Sequence, residues 1–189
     1  MSNTETTALR DEALRKIGRN IVNFQKMERA LKVLIVRSDI RGHASELAEV
    51  HRRKAQDVDR KPMGRLVDEF MRAVYAKDPP RNEETSDLSE AWISFSFNIE
   101  TDKETIHLLK RALSLLVAER NALIHKMLGN FDGESEEGCR NLISLLDGQQ
   151  DRLKPHYDSV TRMLGDLEAA QREMLKQMEA LLLTGSRDA

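Results

Sequence analysis

One cysteine, Cys139, stands in 189 residues, so the chain can form neither an internal disulfide nor a cysteine-based zinc cluster. A reducing compartment, the cytoplasm, is the expected setting. No apolar run approaches the ~20 residues of a membrane-spanning helix. The stretch Met1 to Thr7 is polar, so neither a signal peptide nor a transmembrane segment is expected. Aromatic residues make up only 4% of the chain while 33% is charged. With abundant Leu, Glu, Arg and Lys, that balance is the composition of an all-α protein.

The chemistry-bearing motifs are as sparse. There is no glycine-rich phosphate loop, no His-Glu-x-x-His, no nucleophile elbow and no carboxylate cluster at metal-ligand spacing. Neither a metal site nor a cofactor is expected. His43, His51, His107 and His156 are scattered and read as surface polar residues. An enzyme built from so few groups would do metal-free acid–base chemistry on a substrate that supplies its own nucleophile.

A net charge of only −2 argues against binding nucleic acid through bulk positive charge. Its distribution is uneven. Residues 1–77 carry 17 Lys and Arg against 11 Asp and Glu, and residues 78–189 carry 13 against 21, giving about +6 and −8. The basic excess gathers at His51-Arg52-Arg53-Lys54 and at Arg60, Lys61 and Arg65. Those positions read either as a solvated helix face or as a phosphate-holding rim in which Arg52, Arg53 and Lys54, with Lys126 further on, would touch RNA.

At this length, with 40% hydrophobic residues, a single helical domain over 1–189 is expected. From about Ala8 to Asp39, apolar residues Leu14, Ile17, Ile21, Phe24, Met27, Leu31 and Leu34 recur three or four apart, the stripe of a long amphipathic helix stopped near Arg41-Gly42. Residues from about Ser45 to Val58 have fewer apolar positions and read as a weak helix or a connector. Lys61-Pro62-Met63-Gly64 reads as a turn before a short helix through Leu66, Val67, Phe70, Met71 and Val74, ended at Asp78-Pro79-Pro80. Residues 78–90 read as an internal loop.

Ile93, Phe95, Phe97 and Ile99 alternate with polar residues across 92–99, which is strand periodicity. No second strand is evident, so this extended segment either pairs with its copy in a dimer or lies across the helices; the second is preferred. From about Glu136 to Leu183 a long C-terminal helix is expected, kinked or split at Pro155. Leu153, Tyr157, Val160, Leu164, Leu167, Gln171, Met174, Met178 and Leu181 form a heptad with Gln171 the one polar member. Residues 153–183 are then either a coiled-coil extension or a helix docked on its own domain.

The segment from Thr101 to Gly129 reads as one helix, with Thr101 and Glu104 as a capping box and Gly129 as the stop. At 100° per residue, Ile106, Leu109, Leu113, Leu116, Val117, Leu123, Ile124, Met127 and Leu128 share one face, with Arg120 along its centre. A charge there demands a partner. Asn121 and His125, four apart, lie together at one edge, with His125 rotated roughly 140° from Arg120.

Arg120-Asn121-Ala122-Leu123-Ile124-His125, on a late helix of an all-α chain, resembles the motif of the HEPN superfamily (higher eukaryotes and prokaryotes nucleotide-binding). Arg37 to His43 has similar spacing, but straddles the helix end expected at Gly42. The resemblance implies a helical bundle that forms a homodimer, with Arg120 and His125 of two protomers lining an interface cleft. It further implies a metal-independent endoribonuclease of toxin or phage-defence type, with an antitoxin or a defence-system protein as partner. In one subgroup a tyrosine two residues after the histidine is modified by such a partner; here Met127 stands in that place. Under the same resemblance an RNA 2′-hydroxyl attacks the adjacent phosphate, leaving a 2′,3′-cyclic phosphate and a 5′-hydroxyl. Arg120 would stabilise the phosphorane, His125 would serve as general acid or base, and Asn121 would orient the ring or the phosphate.

A second reading comes from the residues themselves. Arg120 would be a structural ion-pair residue of a non-catalytic helical interaction or regulatory module, paired with a carboxylate such as Glu28 of the first helix, and His125 a bystander.

Overall fold

The long stripe from Leu14 to Leu34 forms α1, Ser2–Arg37, and its apolar positions from Ile17 onward are what the core is built on. The computed structural model describes residues 2–75, 90–127, 129 and 131–185, with side chains from residue 4 to residue 180. The loop expected at 78–90 lies, apart from Glu90, outside the described residues. After α1 come strand β1 (Asp39–His43), α2 (Leu47–Asp59), α3 (Met63–Tyr75), strand β2 (Trp92–Ser96), α4 (Lys103–Ala122) continued by a π-helical turn (Leu123–Met127), and α5 (Glu136–Gly185). The all-α class holds, with one small two-stranded sheet added.

The sheet corrects the reading of a lone extended segment. β2 pairs antiparallel with β1 of the same chain, Ile40 opposite Phe95 and Gly42 opposite Ile93. The segment then runs on across the helices. Phe97 N–H donates to the Ser38 carbonyl at 2.7 Å and Ile99 N–H to that of Val74 at 2.8 Å. Its alternating Phe95, Phe97 and Ile99 pack on the core, as a half-buried strand requires. Gly42 carries φ +152° with Leu47 and Val50 close by, a conformation that side-chain-bearing residues rarely adopt.

One core cluster draws on all five helices, with Phe24, Met27, Leu31 and Leu34 of α1, Val58 of α2, Phe70 of α3, Leu113 and Leu116 of α4, and Leu146, Leu153 and Leu167 of α5 among its members. α1 and α5 lie parallel. Lys16 meets Asp147, Asn20 meets Gln149, Asn23 meets Gln150 and Arg37 meets Glu168, so sequence position rises together along both helices. Up to Gln171 the heptad of α5 therefore packs on its own domain, with Leu153, Val160 and Leu167 buried. Past Gln171 the helix outruns α1 by 14 residues, about 21 Å at 1.5 Å per residue.

Pro155 does not split α5, which is continuous from Glu136 to Gly185. The proline lies on the exposed side, as does Asp151, whose carbonyl loses its helical donor there. Water can satisfy that group. No described helix is long and apolar enough to cross a membrane.

Candidate functional site

α4 starts one residue later than the sequence pattern places it. Asp102 is the N-cap, its carboxylate accepting from Thr105 N–H at 2.8 Å and from the Thr105 hydroxyl at 2.7 Å, where Thr101 and Glu104 were expected. These two bonds hold the Asp102 carboxyl below its ordinary value. Leu113, Leu116 and Leu123 anchor the helix in the core, on the face along which Arg120 also lies. This seating fixes which way the last turn of α4 presents its polar groups.

Arg120 is half-buried, with 30% of its side chain exposed, and the charged partner it demands is present. Its Nη2 stands 3.9 Å from Oε2 of Glu28 on α1, and its Nη1 donates to Oδ1 of Asn121 at 3.1 Å. Glu28 in turn faces Lys32 at 3.2 Å, and Lys32 reaches Asp59 at the end of α2 at 3.3 Å. Charge alternates along this run from α4 through α1 to α2. A 3.9 Å separation is longer than a charge-assisted hydrogen bond, so the guanidinium keeps room to engage a further anion.

His125 belongs to the π-helical turn, which begins three residues after Arg120. The 100° step that put His125 about 140° from Arg120 does not carry through a turn whose bonds run i to i+5. The ring is exposed and makes no hydrogen bond or ion pair among the described residues. Asn121 is bonded to Arg120, on the same helix, while His125 stands free.

One residue beside the motif, Glu119, gave no signal in the sequence. Glu119, with 16% of its side chain exposed, takes Arg152 of α5 at 2.6 Å on one carboxylate oxygen, and its other oxygen is buried without a donor. Its backbone carbonyl accepts from Gln149 at 3.3 Å. Glu119 and Arg120 thus tie the end of α4 to α5 and α1 respectively. Only the packing of three helices makes neighbouring residues serve different partners, and no spacing rule exposes that.

The residues expected to touch RNA divide between two places. On α2, Glu49 receives Arg52 at 2.8 Å and Arg53 at 2.7 Å, and these bonds lower its carboxyl to about 2. Lys54 turns inward instead. Its Nζ donates to the Asp39 carbonyl at 2.6 Å, tying α2 to β1, and burial lowers its pKa. Lys61 likewise bridges Asp57 and Glu69. Lys126 lies beside His125 in the π-helical turn, next to a groove of about 430 Å³ shared with Met127, Phe131 and Leu142. Among the described residues, no group of three or more His, Cys, Asp or Glu side chains is placed to hold a metal ion.

Comparison with known protein families, with curated proteins and with solved structures gives no match to this chain.

Proposed function

We propose that the protein is a metal-independent endoribonuclease of HEPN type, acting as a homodimer in a toxin or defence role in the cytoplasm. The observation that carries the reading is the π-helical turn at Leu123–Met127. Such turns cost helix regularity, recur at functional sites, and here present an exposed, unpaired His125 just after a partly exposed Arg120. Leu108 and Leu115, seven apart on the same helix and 60% and 50% exposed, offer an apolar face on which a second copy can bring its own Arg120 and His125 to the cleft.

In this mechanism the phosphate displaces the loose Glu28 contact and takes Arg120. His125 of one protomer removes the 2′-hydroxyl proton, and the same residue of the second copy delivers a proton to the leaving 5′-oxygen. The 2′-oxygen to phosphorus bond forms, the phosphorus to 5′-oxygen bond breaks, and a cyclic phosphate and a 5′-hydroxyl remain. An antitoxin or defence-system partner would hold the activity in check. A single 2′-deoxy substitution at the cleaved position should abolish turnover, since the nucleophile is gone; cleavage at the deoxy position would refute the mechanism.

The Arg120–Glu28 contact favours a second reading, a non-catalytic helical module in which Arg120 fastens α4 to α1. The two separate in an unfolding experiment. Under the structural reading Arg120→Ala lowers stability and Glu28→Gln lowers it comparably; under the catalytic reading both variants stay near wild-type stability and only Arg120→Ala loses cleavage.

A further inference from the structure

α1 and α2 meet imperfectly. α2 turns Ala55 and His51 inward where a core helix would place large apolar residues, and only Val58 of α2 is buried. The result is a groove of about 520 Å³ floored by Val33 and Val36 of α1 and Ala55 of α2. Its rim is cationic, with Arg29, Lys32 and Arg37 on one side and Arg52, beside the polar ring of His51, on the other, against a single carboxylate, Asp59. Lys32, Arg37 and Arg52 are each engaged by a carboxylate outside the groove, Glu28, Glu168 and Glu49. Arg29 and His51 make no ion pair or hydrogen bond among the described residues and are left for an incoming anion.

We infer that this groove is a docking site for an acidic amphipathic helix of a partner protein. An aliphatic floor wants aliphatic or aromatic knobs at helical spacing, and the rim wants Asp or Glu beside them, which is the helix-in-groove mode of recognition. Single-stranded RNA fits less well, because the floor of Val33, Val36 and Ala55 offers no aromatic platform for base stacking. The proposal stands apart from the ribonuclease reading, since neither Arg120 nor His125 lines the groove.

The test uses the full chain and a fluorescein-labelled helical peptide of about 18 residues, with Leu at i, i+3, i+4 and i+7 and Glu on the flanks, beside a version with Lys for Glu. Fluorescence anisotropy should show saturable binding of the Glu peptide and at least about tenfold weaker binding of the Lys peptide. Ala55→Leu fills the groove and should weaken binding about tenfold or more with the melting temperature kept or raised. Arg29→Glu, on the surface, gives the same loss without touching the core, should Ala55→Leu fold poorly. Equal binding of both peptides, or binding that ignores both substitutions, would overturn the inference. So would displacement of the peptide by single-stranded RNA, or a dimer that dissociates on Ala55→Leu, since the occupant would then be RNA or a second copy.

Discussion

Gln171 closes the end of α1. Its side-chain oxygen accepts from Nε of Arg37 at 3.2 Å, and its Nε2 donates to the Arg37 carbonyl at 3.2 Å. The one polar member of the α5 heptad is thus a C-terminal cap for the neighbouring helix, satisfying a carbonyl that α1 itself cannot. Gln171→Leu would complete an apolar seam, yet it should destabilise the fold by about 1 kcal/mol because the Arg37 groups lose their partner. Urea unfolding measures this. A stabilised variant that also associates more strongly would instead identify the seam as a coiled coil between chains.

Asn20 and Gln149 form the buried polar contact between α1 and α5, at 0% and 1% exposure. Asn20 Nδ2 donates to Gln149 Oε1 at 2.9 Å and to the Leu146 carbonyl at 2.8 Å. Asn20→Ala leaves Gln149 Oε1 without that donor in the core, and stability should fall by about 1–3 kcal/mol. The double variant with Gln149→Leu should recover part of the loss, because both polar ends are then gone. A double-mutant cycle in denaturant reads the recovery directly.

The helices were legible because their period was strong. Ile17 to Leu34 and Leu153 to Leu167 face the core as their spacing requires, whereas Leu14, on the same stripe, is 50% exposed. β2 was legible by alternation, but β1 was not, since Asp39-Ile40-Arg41-Gly42-His43 holds one aliphatic residue and becomes a strand only beside Trp92–Ser96. Pro155 leaves α5 unsplit because its side of the helix meets water, which can take the freed carbonyl. Where Lys54 points was not legible, a long side chain being able to turn its amine to a carbonyl beneath it. At the candidate site, Glu28 as the partner of Arg120 was legible from the demand of a half-buried charge. The π-helical turn was not, because Leu123, Ile124 and Met127 fit an α-helical stripe equally well.

Acid should weaken the fold, and His156 sets where this begins. Burial holds its ring below the ordinary imidazole value, so near pH ~6.5 the unfolded chain binds a proton that the folded chain refuses. The contribution is complete above that pH and is lost as pH falls through the unfolded value toward the folded one. Glu49, held to about 2 by its two arginines, acts lower, its contribution present above the unfolded value near 4.5 and lost as pH falls toward 2. His156→Gln should flatten melting temperature against pH just below pH ~6.5, leaving the steeper acid limb in place. An unchanged slope in the variant would assign the upper limb to another group.

The central claim rests on His125, whose exposed ring makes its replacement structurally mild. Wild-type protein and His125→Ala should be expressed side by side at equal soluble yield, and cellular RNA examined for new fragments ending in 2′,3′-cyclic phosphate. Growth arrest and such fragments with the wild type, both absent with His125→Ala, are the expected result. Identical fragments from the two proteins, or intact RNA in both when the protein is expressed without any partner, would contradict it.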